Sequence, residues 1–288
     1  MLPVIKKALK TIFPSSFRRK IKKYKRHIVN SIHPASKLTL EEMKRLLTQE
    51  LGLCKGDKII VTSSFANLNA SFSPAELMHL LMEIVTKDGL IVMPYYPPLN
   101  STEWASKNYV FDMRNTKSGM GILTNVFAKM PDVYMSKHPT KAVCAWGKNA
   151  EIIVRGHDSS LTPYYWGSPY GNLLKNNSKS IGLGVTHIPI FHAIEDILSP
   201  SYDFFYQKKV YKLKIIDKSG ECTIIDTLVH DDDVLNHCIH PREFVATLNC
   251  KTYKKVNVGY NVAYTINNDD LFTTCEDCFE KGYTRLKK

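Results

Sequence analysis

His192-Ala193-Ile194-Glu195 places an imidazole and a carboxylate three residues apart. On a helix that spacing puts both side chains on one face. A carboxylate beside an imidazole fixes its tautomer and raises its basicity, which is what a general base requires. On a solvated helix the same spacing makes only a surface ion pair, so the preceding residues matter. Ile181-Gly182-Leu183-Gly184-Val185 reads as a buried strand ending in glycines, followed by a short loop from Thr186 to Ile190 and a helix from about Phe191. Strand ends of α/β sheets are where ligands bind.

Other chemistry-bearing clusters are weaker. Cys275-Glu276-Asp277-Cys278 has a spacing that suits zinc or redox work, but no second pair stands at the usual distance, and on a helix two small packing residues satisfy it. His237-Cys238-Ile239-His240 also lacks partner ligands, so no metal is expected. Asp231-Asp232-Asp233 reads as a solvated turn, with attraction for an amine substrate as the second reading. The nucleophile elbow, the Walker loop, the dinucleotide fingerprint and the HExxH zinc motif are absent.

The elements that must position the histidine follow from patterning. Leu38 to Leu53 reads as a helix, with Thr39 and Glu42 forming a capping box. Lys58 to Val61 is a buried strand ending in Thr62-Ser63-Ser64. Ser73-Pro74-Ala75-Glu76 opens a second capped helix, and Leu90 to Met93 is a second buried strand stopped by Pro94. A helix is expected near Ile122 to Lys129 and short strands near Val143 to Trp146 and Ser180 to Gly184. Val210 to Ile216, Cys222 to Leu228 and Lys254 to Ile266 read as antiparallel strands, and Leu271 to Lys281 as a closing helix. The expected fold is an α/β layered sheet domain with an antiparallel, strand-rich C-terminal part.

Charge divides the 288-residue chain in two. Residues 1–37 hold eleven of the 39 Lys and Arg and no acid, leaving 28 basic against 27 acidic side chains, a net of +1, in residues 38–288. The net charge of +12 therefore describes a tail, and a nucleic-acid partner does not follow from it. Ile5, Leu9, Ile12, Phe13, Phe17, Ile21, Tyr24, Ile28 and Ile32 form one helical stripe opposite the bases, interrupted at Pro14. Such a basic amphipathic extension suits peripheral contact with an anionic membrane, or packing on protein. Lysines within its apolar stretch argue against a secretory signal, and no apolar run reaches the ~18 residues of a membrane span. Seven cysteines, an odd number in a long chain, fit reduced thiols and a cytoplasmic setting.

Six ordered segments carry a resemblance. They are Gly56 to Phe65, Asp88 to Pro94, Phe111-Asp112 with Thr116 to Gly121, Ser136-Lys137-His138-Pro139 through Ala145-Trp146-Gly147, Gly167-Ser168-Pro169, and Gly184 through His192 to Glu195. Over about residues 38–200 the chain resembles the aminoglycoside 3-N-acetyltransferase family. The resemblance implies an α/β/α layered fold and direct acyl transfer from acetyl-coenzyme A, or another acyl-coenzyme A, to an amine on a sugar. His192 would be the base and Glu195 its support. Ser63, Ser64, Phe65, Ser118, Gly119, Met120, Gly121 and His138 would line the coenzyme site. No cysteine nucleophile and no metal are implied.

The chain departs from the family pattern at Met135, Ala142, Asn69, Ala70 and Pro189. Pro189 and the basic tail point the acceptor toward a nucleotide-linked or glycan-precursor 3-amino sugar. An aminoglycoside, in antibiotic resistance, is the alternative acceptor. A non-catalytic membrane-associated scaffold is the second alternative, and an oligomer is compatible with the chain.

Overall fold

A computed structural model describes residues 36–174, 176–198 and 205–285. Both capping boxes form. Thr39 and Glu42 exchange side-chain and backbone hydrogen bonds at the start of α1 (Leu40–Arg45), which continues as a wider helical turn over Leu46–Glu50. After β1 (Lys58–Ser63), Ser73 and Glu76 do the same for α2 (Pro74–Val85). There follow β2 (Leu90–Pro94), α3 (Ser101–Ser106), β3 (Phe111–Asp112), α4 (Ile122–Phe127), β4 (Tyr134–Met135), β5 (Val143–Gly147) and α5 (Ala150–Val154). Strand β6 (Ser178–Leu183) and helix α6 (Phe191–Leu198) hold the histidine motif. The chain ends with β7 (Tyr211–Ile216), β8 (Cys222–Thr227), α7 (Asp232–His237), α8 (Pro241–Thr247), β9 (Lys254–Val258), β10 (Asn261–Asn267) and α9 (Asn268–Glu280).

Seven strands form one sheet in the order β4-β5-β2-β1-β6-β10-β9. Its centre is parallel, with β1 paired to β2 and β6; the outer pairings are antiparallel. Strands β3, β7 and β8 make a second, smaller sheet. The central strands are buried on both faces, which is why they read as unbroken apolar runs. Ile59, Val61, Ile91 and Met93 pack with Leu77, Met78 and Leu81 of α2 on one side. Ile60, Leu90 and Val92 pack with Phe191 and Ile194 of α6 and with Leu271 and Phe272 of α9 on the other. The α/β layering and the antiparallel C-terminal strands agree with the sequence reading. Lys254 to Ile266 is a hairpin rather than one strand: Gly259 turns the chain at φ 52°, where a side chain would strike the Leu68 carbonyl. Helices α3, α5, α7 and α8 carry little periodic signal in 5 to 7 residues each.

The centre of the sheet also fixes the loop before α6. Gly182 on β6 lies under the Tyr264 ring of β10, where any Cβ would overlap the ring. Tyr264 in turn donates its hydroxyl hydrogen to the His187 carbonyl, and Thr62 of β1 donates to the same oxygen at 3.2 Å. Two strands thus hold the β6–α6 loop by one carbonyl. Gly182→Ala should destabilise the fold by about 1–3 kcal/mol through overpacking. That loss reads as a drop of several degrees in Tm, and a wild-type Tm would remove Tyr264 from this role.

Candidate active site

Three pieces of backbone meet at the carboxyl ends of the parallel strands. Ser63 ends β1 and Ser64 follows it, donating its amide hydrogen to the carbonyl of Leu183 at the end of β6. Gly184 follows at φ 69°; a Cβ there would lie 2.7 Å from the Ser64 carbonyl oxygen. The loop Ser118 to Gly121 approaches from the third side, with Gly121 (φ 109°) beside the Ser63 carbonyl and Gly119 against Pro97 and Pro98. Ser118 is buried and donates to the Tyr96 carbonyl, while its hydroxyl accepts the Met120 amide hydrogen. Gly119 and Gly121 are exposed, and Phe65 packs edge-on against Phe72. The structure therefore brings Ser63, Ser64, Phe65 and residues 118–121 to one rim.

Next to that rim lies a cavity of about 440 Å³. Gly119 and Met120 belong to its wall, together with His192, His187, His230, Tyr164, Lys141 and Asp232. Ser63, Ser64 and Phe65 are not in this wall. The rim and the cavity meet at Gly119 and Met120.

His192 and Glu195 share one face of α6, as their spacing requires. The His192 Nδ1 lies 3.3 Å from Glu195 Oε2, so a neutral ring donates from Nδ1 and keeps the Nε2 lone pair free. Burial pushes the imidazole below its ordinary pKa; Glu195 works in the other direction, and Arg285 and Lys141 lower it further. At neutral pH His192 is therefore uncharged and able to accept a proton. Its neighbours are uncharged too. His187 is lowered to about 3 and His230 well below the usual imidazole range, both by burial. The His230 ring lies 4.9 Å from the His192 ring and stacks on Tyr164 at 5.5 Å.

Two charged side chains face this neutral lining. Asp232, in the first turn of α7, stands where the sequence suggests a solvated turn; Asp231 caps that helix, and Asp232 reaches the cavity. The Lys141 ammonium sits 4.4 Å from the Tyr96 ring centroid and is lowered to about 8 by desolvation.

His138 lies elsewhere. It is fully buried, and its Nδ1 accepts the amide hydrogens of Lys141 at 3.0 Å and Thr140 at 3.3 Å. Its ring packs 4.7 Å from His157, whose Nε2–H donates to the Pro163 carbonyl. His138 thus shapes the turn that carries Lys141 and is absent from the cavity wall. Its burial gives it no open surface for a coenzyme, contrary to its place among the expected coenzyme residues.

Arg285 has no counterpart in the sequence reading. Its guanidinium grips both oxygens of Glu195, with Nε to Oε1 at 2.5 Å and Nη2 to Oε2 at 2.9 Å. Lys141, His187, His230 and Tyr164 were also outside the expected site, and for Asp232 attraction to an amine was only the second reading. His187 lies five residues before His192, while Lys141, Tyr164 and the His230–Asp232 stretch come from distant segments that no local spacing links to it.

A family model described as aminoglycoside 3-N-acetyltransferase matches residues 60–280. The chain belongs to the aminoglycoside 3-N-acetyltransferase family. A curated relative is the SPbeta prophage-derived aminoglycoside N(3')-acetyltransferase-like protein YokD of Bacillus subtilis (strain 168), 28% identical over 51% of this chain. The match spans 61% of that relative's length. Two solved structures share the fold. AAC-IIIb in a binary complex with CoASH has a TM-score of 0.68 at 18% identity, covering 88% of this chain and 100% of that one. AAC-VIa bound to sisomicin has a TM-score of 0.69 at 18% identity, covering 86% and 99%.

Cys275 of the CxxC pair is buried in the core and Cys278 is half-buried. Among the described residues no group of three or more His, Cys, Asp or Glu is placed to hold a metal. No helix among them is long and apolar enough to cross a membrane. Most of the basic extension, residues 1–35, lies outside the described residues.

If His192 is the base, His192→Ala should lower kcat by about 10²–10⁴-fold, the usual worth of a general base. In the wild type, kcat/KM should rise with pH along an acid limb centred below 6.5, because only the neutral ring accepts a proton and its pKa is lowered. An acid limb centred above that value would contradict the assignment.

Proposed function

We propose that the protein is an acetyl-coenzyme A-dependent N-acetyltransferase acting on an amine of an aminoglycoside. The observation that supports this reading is a neutral imidazole, oriented by a buried carboxylate, in the wall of a cavity that opens beside a serine- and glycine-rich strand-end rim. Family membership favours the aminoglycoside as acceptor over the nucleotide-linked 3-amino sugar suggested by Pro189 and the basic tail. The solved relatives add one protein with CoASH and one with sisomicin.

The rim fits the coenzyme. Gly119 and Gly121 present exposed backbone, Gly121 holds a φ of 109° that other residues resist, and half-buried Ser63 and Ser64 lie at the adjoining strand end. Ser63, Ser64, Phe65 and residues 118–121 would hold it. Acetyl-coenzyme A supplies an acetyl group activated as a thioester. An acceptor amine arrives protonated and is not yet a nucleophile. His192 Nε2 takes that proton, directly or through one water, while Nδ1–H stays on Glu195. The freed amine is then the nucleophile. Lining the site with neutral imidazoles, rather than imidazolium ions, spares a cationic acceptor their repulsion.

Thiol release from acetyl-coenzyme A tests the reading. Release is expected with kanamycin. Release only with a nucleotide-linked 3-amino-deoxysugar would transfer the acceptor to that class, and release with neither would leave the scaffold alternative standing.

The two charges in the wall give a second check. Asp232→Asn should raise KM for kanamycin by roughly 10-fold, the equivalent of about 1.4 kcal/mol. Lys141→Met should lower it, since Lys141 repels a polycation. A KM unmoved by either change would place the acceptor outside this cavity.

A further inference from the structure

The hydrogen-bonded pair in the cavity wall does not end at Glu195. Both oxygens of that carboxylate are also bound by Arg285, and each residue is only 2% exposed. Arg285 is tied down in turn. Its Nη1 donates to the Ile239 carbonyl at 2.7 Å, and its own carbonyl accepts the Ile239 amide hydrogen at 2.8 Å. Its guanidinium lies 5.6 Å from the Phe191 ring centroid and 5.9 Å from that of Phe205. Arg285 falls outside the stretch 60–280 matched by the family.

We propose that Arg285 is a positioning residue for proton transfer: by holding both oxygens of Glu195 it aims the carboxylate at His192 Nδ1 and balances its charge, so that His192 works as a neutral base. The inference rests on the acetyl-transfer reading for its kinetic part only.

The argument is electrostatic. A buried carboxylate facing an imidazole, with nothing else near, favours the imidazolium. A ring already protonated cannot take a proton from an amine. The groups facing His192 are Glu195 on its own helix, Arg285 from the C-terminal segment, Lys141 from the turn before β5, Tyr164 with its ring 5.6 Å away, His187 from the β6–α6 loop, His230 before α7, and His240 before α8, with Asp232 in the same cavity wall. Asp196, the next residue on α6, accepts a hydrogen bond from Tyr206 at 2.7 Å. Among the described groups that act on His192, Glu195 alone favours its protonation, and Arg285 is the cation in direct contact with Glu195. The two-point geometry also matters. A guanidinium fork fixes the plane of a carboxylate, which a single ammonium contact does not.

The test titrates the His192 ring by NMR in the full-length protein, without substrate, and in parallel records the pH dependence of kcat/KM for acetyl transfer. In Arg285→Met the ring midpoint and the acid limb should both move up by about one pH unit, as for a carboxylate released from an opposing charge. A folded Arg285→Met protein with an unchanged His192 midpoint overturns the proposal. If that variant does not fold, Arg285→Lys decides. Keeping the charge but losing the fork, it should lower kcat by about tenfold with KM unchanged, the scale of lost outer-shell support. Wild-type kcat in Arg285→Lys overturns the proposal. The NMR readout needs no acceptor, so a shifted midpoint in a protein that acetylates nothing would sink the function reading and leave this one standing.

Discussion

A carboxylate taken out of water has to be paired, and Glu195 is paired twice. Its partners are the histidine one helical turn before it and an arginine 90 residues away in sequence. Much of the site follows from that requirement. Helix α6 must begin where His192 reaches the cavity and Glu195 stays dry, and the C-terminal segment must return after α9 to deliver Arg285. The loop before α6 must also stop at a fixed place. Thr62 and Tyr264 secure that place by sharing the His187 carbonyl, and Gly182 leaves room for the Tyr264 ring.

The electrostatic environment follows the same logic. Burial keeps His187, His192 and His230 neutral, so three imidazoles and Tyr164 form a lining that can exchange hydrogen bonds without adding charge. The fixed charges in the wall are Lys141 and Asp232. On the proposed function, charge selection of the acceptor falls to one lysine and one aspartate, both on segments outside the central strands.

The sequence made visible what is local. The capping boxes at Thr39 and Ser73, the double-sided burial of β1 and β2, and the HxxE pair each depend on residues a few positions apart. The strand-end serines and the 118–121 loop were legible through ordered resemblance, and the structure gathers them at one rim. Features that depend on distant segments were not legible. Arg285 stands 90 residues from Glu195, with no spacing to suggest the pair, yet it is buried against it. Asp232 read first as part of a solvated turn, with attraction for an amine as the second reading, and only the fold brings it to one wall with Lys141. His138 carried a motif signal that its local role explains: it accepts backbone hydrogens of its own turn, a contact any tight turn can use without touching a ligand.

The central claim is that His192 Nε2 receives the proton of the acceptor amine. A crystal structure of the protein with coenzyme A and a bound aminoglycoside measures it directly. The account predicts one acceptor nitrogen within about 2.6–3.2 Å of Nε2, or joined to it through a single water. An acceptor whose amines all lie against another wall, with Nε2 facing protein, would contradict it.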